Sequence, residues 1–365
     1  MSNFEEKINA LLRPNIRGLK PYSSARDEFK DSSMSSTLHP PPSTSLFLDA
    51  NENSLGSPSS DDYSRYPTSQ QMLLKAAIGT LKGIAPSQIF LGNGSDEAID
   101  LLLRAFCEPG RDNVILMPPT YGMYAVQADI HGTEQRQAPL RPGFLPDAQA
   151  VKAATNEASK LLFLCSPNNP TGNCLPEIFI LEMLRDFPGL VVIDEAYMDF
   201  STMPSWVSHL PRFPNLVVLQ TFSKAWGMAG ARVGMAFAHP LIITVLNKIK
   251  YPYNLSTANI RLAEEAIKNE AIVKRNVGAL LAERARLEKE LPKLACVRQV
   301  FPSDANFLLV RMADADAAYR FLVENGIVVR NRSKELHCEN CLRITVGAPD
   351  ENTRLLHTLD KYTPL

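Results

Sequence analysis

Thr221-Phe-Ser-Lys-Ala-Trp-Gly-Met-Ala-Gly-Ala-Arg-Val-Gly234 is the stretch around which the rest of the chain can be interpreted. The apolar run from Leu216 to Gln220 predicts a buried strand leading into it, and its glycines permit close backbone approach. Open α/β sheets bind ligands at strand ends, so we expect Lys224 at the end of a central strand. Most lysines are solvated surface charges, but a buried lysine beside an arginine would have the lowered pKa that imine formation requires.

The composition is that of an ordinary globular protein. The 365 residues are enough for a large core and indicate two domains, or one large domain with a smaller satellite. With 38 basic and 39 acidic residues the net charge is −1, which argues against a nucleic-acid or membrane partner. The chain shows no signal-peptide pattern and no apolar run near the roughly 20 residues that span a bilayer. We expect a cytoplasmic location.

The six cysteines are scattered, and a core of this size needs no disulfide framework, so free thiols are expected. His337-Cys338-Glu-Asn-Cys341 has the spacing of some zinc and redox sites. A tetrahedral zinc site needs a second pair of comparable spacing, and Cys165 with Cys174 is too loosely spaced. We expect no metal.

The order of elements predicts an α/β fold with three regions. Residues 1–45 are expected to form an arm and a Ser/Pro-rich flexible loop, because that composition disfavours core elements. Strands alternate with helices over residues 46–255, which predicts a mostly parallel central sheet with helices on both faces. Leu46 to Asn53 is predicted to contain the first of these strands, a short one that runs into a polar turn. Residues 256–365 are expected to form a smaller α+β domain.

Candidate site residues follow several of the predicted strands. The carboxyl ends of parallel strands lie at one edge of a sheet, so these side chains can converge in one crevice. A buried carboxylate is costly without a cation or hydrogen-bond donor, so Asp194, at the end of a fully apolar strand, needs a partner. The set consists of Tyr121, Asn169, Asp194, Tyr197 and Lys224.

Three further features have two interpretations each. Ile89-Phe-Leu-Gly-Asn-Gly-Ser-Asp-Glu97 predicts a glycine turn into a helix start that could cradle a phosphate, although a capped helix without a ligand would look the same. Arg330 and Arg343 are predicted near strand ends, as surface charges or as a bidentate anion clamp. Tyr22 follows Pro21 in the arm, where it either docks the arm or serves the site.

Three segments together carry a family resemblance. Ser166-Pro-Asn-Asn-Pro-Thr-Gly172, Asp194-Glu-Ala-Tyr197 and Thr221 to Arg232 occur in the order and approximate spacing of the fold type I pyridoxal-phosphate aminotransferases, which the chain resembles. Leu48-Asp-Ala-Asn-Glu-Asn53 and Cys341-Leu-Arg-Ile-Thr-Val-Gly347 are similar to the histidinol-phosphate aminotransferase family among them. Ser54 stands where that family often has proline.

This resemblance implies a role for each cofactor-site residue. Lys224 would carry pyridoxal phosphate as a Schiff base and move the Cα proton, and Asp194 would pair with the pyridinium nitrogen. Asn169 and Tyr197 would hydrogen-bond the ring hydroxyl oxygen, and Tyr121 would stack on the ring. A homodimer is also implied, with Tyr66 lent across the interface. The cofactor phosphate would be held by the main-chain amides of Ser95, Asp96 and Glu97, by the Ser223 hydroxyl and by the Arg232 guanidinium.

The resemblance also implies the substrates. Arg330, Arg343 and Tyr22, with Asn169 beside them, would bind the anionic tail: a phosphate in one half-reaction and a carboxylate in the other. The implied reaction converts L-histidinol phosphate and 2-oxoglutarate into imidazole-acetol phosphate and L-glutamate, in histidine biosynthesis. The alternatives are a relative acting on aromatic amino acids or threonine phosphate, and a cofactor-binding regulator, which the absence of a winged-helix segment and basic patch disfavours.

Overall fold

The computed structural model describes residues 3–21, 46 and 48–363. Their helices and strands are arranged around two β-sheets. The α-helices are Asn3–Leu11 (α1), Pro14–Gly18 (α2), Met72–Lys82 (α3), Ser95–Phe106 (α4), Met123–Ile130 (α5), Ala148–Ala154 (α6), Glu177–Asp186 (α7), Pro240–Ile249 (α8), Thr257–Lys268 (α9), Glu270–Glu290 (α10), Ala315–Glu324 (α11) and Pro349–Asp360 (α12).

The larger sheet has seven strands in the order β1-β7-β6-β5-β4-β2-β3. Six of them run parallel, and β7 is antiparallel to both of its neighbours. The predicted mostly parallel α/β sheet is therefore confirmed. The strands are Ile89–Asn93 (β1), Asn113–Leu116 (β2), Glu134–Gln137 (β3), Ser159–Cys165 (β4), Leu190–Asp194 (β5), Leu216–Thr221 (β6) and Val233–Ala238 (β7).

Both faces of this sheet are covered by helices, which explains why its central strands are continuous apolar runs. Every residue of β5, β6 and β7 is buried. Alternate residues of one strand enter different cores: Val191 belongs to the core that includes residues of α3 and α7, and Val192 to the core that includes residues of α4 and α8. Burial on both faces removes the alternating polar residues of a half-exposed strand.

The smaller sheet is antiparallel, in the order β10-β11-β9-β8, and has its own core with α10, α11 and α12. This sheet matches the α+β organisation expected after residue 256, while the domain limits 1–45, 46–255 and 256–365 stay predictions. Its strands are Val297–Val300 (β8), Phe307–Met312 (β9), Arg330–Asn331 (β10) and Cys341–Thr345 (β11).

One predicted strand is wrong. None of the described residues between Leu46 and Asn53 is in a strand, and Leu46 and Leu48 are 77% and 75% exposed. Their apolar side chains therefore do not belong to the core of the single chain. The sequence interpretation also left out β3, whose residues are polar, and β7, which begins close to the glycine-rich segment.

Candidate functional site

A cleft opens at the carboxyl ends of β4, β5 and β6, where the sequence predicted a crevice. Within the described residues, several predicted side chains meet there, and Asn169 joins them through a hydrogen bond to Tyr197. The lining residues are Gly94, Ser95, Asp96, Tyr121, Cys165, Asp194, Ala196, Tyr197, Thr221, Ser223, Lys224 and Arg232.

Asp194 is the most deeply buried acid of the cleft, with 3% of its surface exposed. The Tyr124 hydroxyl donates to its Oδ2 at 2.7 Å, and the Ala196 amide donates to its Oδ1 at 3.0 Å. Burial raises the pKa of Asp194, and these two donors oppose that rise by stabilising the anion. The carboxylate is therefore fixed in place, as a partner for a cationic ring nitrogen must be.

Asn169 connects the cleft to the smaller sheet. Its amide nitrogen donates to the Tyr197 hydroxyl at 3.2 Å, and its carbonyl oxygen accepts a short hydrogen bond from Arg343. The neighbouring Asn168 bonds instead to the Pro119 carbonyl and to other loop groups. One asparagine of the predicted pair thus holds the loop, and the other is available to the site.

Lys224 differs from the expectation in its burial. Its side chain is exposed in the single chain, because it stands in the open part of the cleft, 5.5 Å from the centre of the Tyr197 ring. Partial loss of surrounding water nevertheless lowers the pKa of Lys224, and the charge of Arg343 adds to this effect. Asp194 and Asp96 act in the opposite direction. The lowered pKa favours the neutral amine that imine chemistry requires.

A cradle for an anion lies where β1 turns into α4. Gly94 has a φ of +72°, and a Cβ on it would come within 2.7 Å of the Arg232 guanidinium. Gly234 is needed for a different reason, because a Cβ there would lie 2.2 Å from the Ser95 amide nitrogen. The start of α4, with its free amides, therefore lies beside an arginine, which is an arrangement that suits a phosphate group.

The other groups of the cradle are close by. Arg232 approaches the Ser223 hydroxyl at 3.4 Å and Asp96 at 3.5 Å, both long contacts that leave the guanidinium able to bind an anion. The Tyr121 hydroxyl donates to Asp96 at 3.1 Å. The Glu97 side chain bonds to Asn93 and Asn254 and does not line the cleft, which leaves only its main chain for the predicted role.

The two predicted tail arginines lie directly opposite each other on β10 and β11. Arg343 is half-buried, with its guanidinium 5.3 Å from the centre of the Phe307 ring, while Arg330 is exposed. Burial lowers the pKa of Arg343, and the charges of Arg332 and Arg330 lower it further. Such a concentration of positive charge at one end of the cleft is suited to an anionic group.

Two predicted residues do not reach this cleft. Tyr66 stacks on Tyr253 with ring centres 4.5 Å apart, is half exposed, and does not line the cleft of its own chain. Tyr22 lies outside the described residues, as does the segment from residue 30 to 45. The described parts of the chain contain no cluster of three or more His, Cys, Asp or Glu side chains that could hold a metal ion. Cys338 and Cys341 are buried free thiols.

Sequence reasoning missed three residues, two beside the cleft and one on the opposite face of the sheet. Tyr124 lies three residues after Tyr121 and donates to Asp194. A tyrosine hydroxyl in an otherwise apolar helix turn needs a hydrogen-bond partner, and this need was the signal available in the sequence. Cys165 ends β4 directly beside Asp194 in the sheet register. Glu195 is buried on the opposite face, where burial raises its pKa to about 7 and Ser205, Trp206 and Gln220 donate to it.

No helix within residues 3–21 and 48–363 combines the length and apolar character needed to cross a bilayer.

Comparison with known proteins identifies the family of the chain. The family model described as "Aminotransferase class I and II" matches residues 42–359. The chain is 54% identical to the histidinol-phosphate aminotransferase of Parabacteroides distasonis over 96% of this chain and 98% of that protein.

Two solved structures share the fold. The histidinol-phosphate aminotransferase of Clostridium acetobutylicum has a TM-score of 0.76 at 22% identity, over 82% of this chain and 90% of that one. The enzyme of the same name from Sinorhizobium meliloti, solved in complex with pyridoxal-5′-phosphate, has a TM-score of 0.74 at 24% identity, over 86% and 89%. The chain belongs to the aminotransferase class I and II family and, within it, to the histidinol-phosphate aminotransferases.

Proposed function

We propose that this chain is a pyridoxal-phosphate-dependent aminotransferase that moves the amino group of L-histidinol phosphate to 2-oxoglutarate. The products are imidazole-acetol phosphate and L-glutamate, and the reaction is a step of histidine biosynthesis. The observation that carries the proposal is Arg343, which bonds to Asn169 in the cofactor half of the cleft and lies opposite Arg330 on the smaller sheet. One pair of arginines can accept either a phosphate or a carboxylate, as a two-substrate exchange requires.

The residues of the cleft fit the cofactor. The cradle beside Gly94 would hold its phosphate through the amides of Ser95, Asp96 and Glu97, the Ser223 hydroxyl and Arg232. Asp194 would pair with the ring nitrogen, Tyr121 would cover the ring face, and Asn169 with Tyr197 would bind the ring hydroxyl oxygen. When bound, pyridoxal phosphate supplies an electron sink for the electrons of the broken Cα–H bond.

Lys224 performs the proton transfer in this proposal. Its amine would remove the proton from the substrate Cα and carry it to the C4′ carbon of the cofactor, so the neutral form must be available near neutral pH. The lowered pKa of Lys224 supports this role. The Tyr197 ring, 5.5 Å from Nζ, limits where the amine can move.

The test is a direct assay of the purified chain with pyridoxal phosphate. We expect glutamate to form from L-histidinol phosphate and 2-oxoglutarate, with the parallel double-reciprocal lines of a ping-pong mechanism. Phenylalanine and threonine phosphate should be poor amino donors. Turnover of either of these without turnover of histidinol phosphate would contradict the proposed substrate.

A homodimer is part of this proposal. The single chain exposes several large apolar side chains besides Tyr66, and apolar surface that is exposed in one chain is often covered by a partner. In the dimer, Tyr66 would enter the cleft of the second subunit, which is consistent with its position away from the cleft of its own chain. The exposed apolar side chains of the single chain are Leu46, Leu48, Leu55, Leu73 and Tyr251. A cytoplasmic location stays a prediction.

Mixed dimers test whether Tyr66 is shared. Lys224→Ala damages the cleft that contains the lysine, and Tyr66→Ala would damage the cleft of the other subunit. Random mixing of the two variants creates one intact cleft in half of the dimers, so about a quarter of the wild-type activity should return. If Tyr66 served the cleft of its own chain, both clefts of a mixed dimer would be damaged, one by each change, and mixing would restore no activity.

A further inference from the structure

Tyr124 lies behind the cleft, on α5, with none of its surface exposed. Its ring stacks on Phe163 with centres 4.8 Å apart and planes 13° apart, and it meets Tyr121 edge-on at 5.4 Å. These contacts hold the ring in one orientation, and its hydroxyl donates to Asp194 Oδ2 at 2.7 Å. The donor is therefore fixed by packing before any ligand binds.

The hydroxyl of Tyr124 is one of two described donors to Asp194, the other being the Ala196 amide. They approach different oxygens, so together they determine the plane of the carboxylate. Burial opposes the charge of Asp194, and the Tyr124 hydroxyl is the largest effect that favours it. The other titratable groups that face Asp194 are Asp96, Tyr121, Cys165, Tyr197 and Lys224.

We propose that Tyr124 is a positioning residue, which keeps Asp194 charged and oriented toward the ring nitrogen of the bound cofactor. The inference rests on the proposed function, because it assumes that Asp194 pairs with that nitrogen. Tyr124 does not line the cleft and acts only through Asp194. Its phenol keeps its own proton, since burial and the charge of Asp194 raise the pKa of Tyr124 far above the ordinary value.

If Tyr124 contributed only packing, phenylalanine at this position would replace it without loss. The stacking on Phe163 depends on the ring and not on the hydroxyl, and phenylalanine would fill the same space. Removal of the hydroxyl leaves Asp194 with the Ala196 amide as its remaining described donor, and its pKa should rise. The neutral acid cannot form an ion pair with a pyridinium nitrogen, so cofactor binding is the property that should respond.

The experiment measures the binding of pyridoxal phosphate to apoprotein by fluorescence, for the wild type, Tyr124→Phe and the control Tyr319→Phe. Tyr319 packs against the core of the smaller sheet, whereas Tyr124 belongs to a core of the larger sheet. We expect the Kd of Tyr124→Phe to rise about tenfold, because a hydrogen bond to a buried charge is lost. The rise should be larger at lower pH, where a raised Asp194 pKa leaves less of the anion.

A cofactor analogue separates positioning from packing. The deaza analogue of pyridoxal phosphate, with carbon in place of the ring nitrogen, cannot pair with Asp194. Tyr124→Phe should therefore weaken pyridoxal phosphate and leave the Kd of the deaza analogue within about twofold of the wild type. In turnover, kcat should fall while the KM for histidinol phosphate stays unchanged, because the tail is bound elsewhere.

Three results would overturn the inference. Equal weakening of pyridoxal phosphate and of the deaza analogue would assign Tyr124 to packing, as would a fall in thermal midpoint without a change in either Kd. An unchanged Kd for pyridoxal phosphate at every pH would have the same meaning. The proposed function fails separately, if the wild-type chain binds no pyridoxal phosphate or does not turn over histidinol phosphate.

Discussion

The cofactor half of the cleft is buried and hydrogen-bonded, whereas the half that faces the smaller sheet is open and positively charged. Asp194, Asn169 and Tyr197 are each less than 10% exposed and have partners within the protein. On the other side, Arg330 is exposed and forms no ion pair with any described residue. Arg343 lies between the two halves and contacts Asn169.

This difference separates two tasks. Groups that stabilise developing charge are most effective when they are fixed in advance and shielded from water, as Asp194 and its donors are. Groups that admit two different anions need room to adjust, which an exposed arginine has. Substitutions in the buried half should therefore change kcat, and substitutions in the open half should change KM.

The largest effect is expected from Lys224→Ala. Without the amine, no group in the described cleft can both attach the cofactor and carry the Cα proton, so kcat should fall by about a thousandfold or more. Borohydride treatment should no longer trap the cofactor on the protein. Lys268→Ala, an exposed lysine on α9, serves as the control and should behave as the wild type. Retention of a tenth of the activity by Lys224→Ala would exclude the role.

Asp194→Asn should have the next largest effect. The amide keeps the shape and can still accept from Tyr124, but it cannot form an ion pair with a pyridinium nitrogen. We expect kcat to fall by about 100- to 1,000-fold, with a smaller change in the KM for histidinol phosphate. Asp199→Asn, five residues further along and exposed, is the matched control. A larger change in KM than in kcat would place Asp194 with the substrate-binding groups.

The two arginines should differ from each other. Arg343→Gln removes a half-buried charge, and the KM for histidinol phosphate should rise about 10- to 100-fold. Arg330→Gln removes an exposed charge that water and salt screen, so the rise should be about two- to fivefold and should shrink at high salt. Arg298→Gln, exposed on β8 of the same sheet, should leave KM unchanged. Equal increases in KM for the two variants would contradict the placement of Arg343 between the two halves of the cleft.

The sequence predicts the buried half of the cleft better than the open half. Lys224, Asp194 and Asn169 follow apolar runs whose strand character is evident, so the topology of a parallel sheet brings them together. The sequence does not predict that Arg343 bonds to Asn169, because that contact depends on the packing of one sheet against another. Tyr124 also escaped prediction, since helix periodicity gives no information about which strand end a helix faces.

The antiparallel β7 and the exposed Leu46 segment were missed for different reasons. β7 begins at Val233, at the end of the glycine-rich stretch, and runs antiparallel to β6, whereas periodicity carries no information on strand direction. The apolar residues Leu46 and Leu48 resemble a strand in composition, but they do not pack on the core of the single chain. Composition alone does not distinguish an interior surface from an interface.

The smallest effect on catalysis is expected at Glu195, which faces away from the cleft. Its carboxyl accepts from Ser205 and from the Trp206 amide at 2.6 Å, and Gln220 donates to it at 2.7 Å. Glu195→Gln can keep part of this network, so kcat/KM should stay within about threefold of the wild type. The pH dependence of stability is where the two proteins should differ.

Burial raises the pKa of Glu195 from 4.5 to about 7, so the folded protein holds this proton more tightly than the unfolded chain does. The stabilisation is fully present below pH 4.5 and is lost as pH rises to 7, because the unfolded chain releases the proton first. The wild type should therefore lose up to about 3 kcal/mol relative to Glu195→Gln across this window. Urea midpoints at several pH values, with the exposed Glu157→Gln as control, measure the difference. Parallel pH profiles for all three proteins would show that Glu195 is ionised throughout, and that its three donors offset the cost of burial.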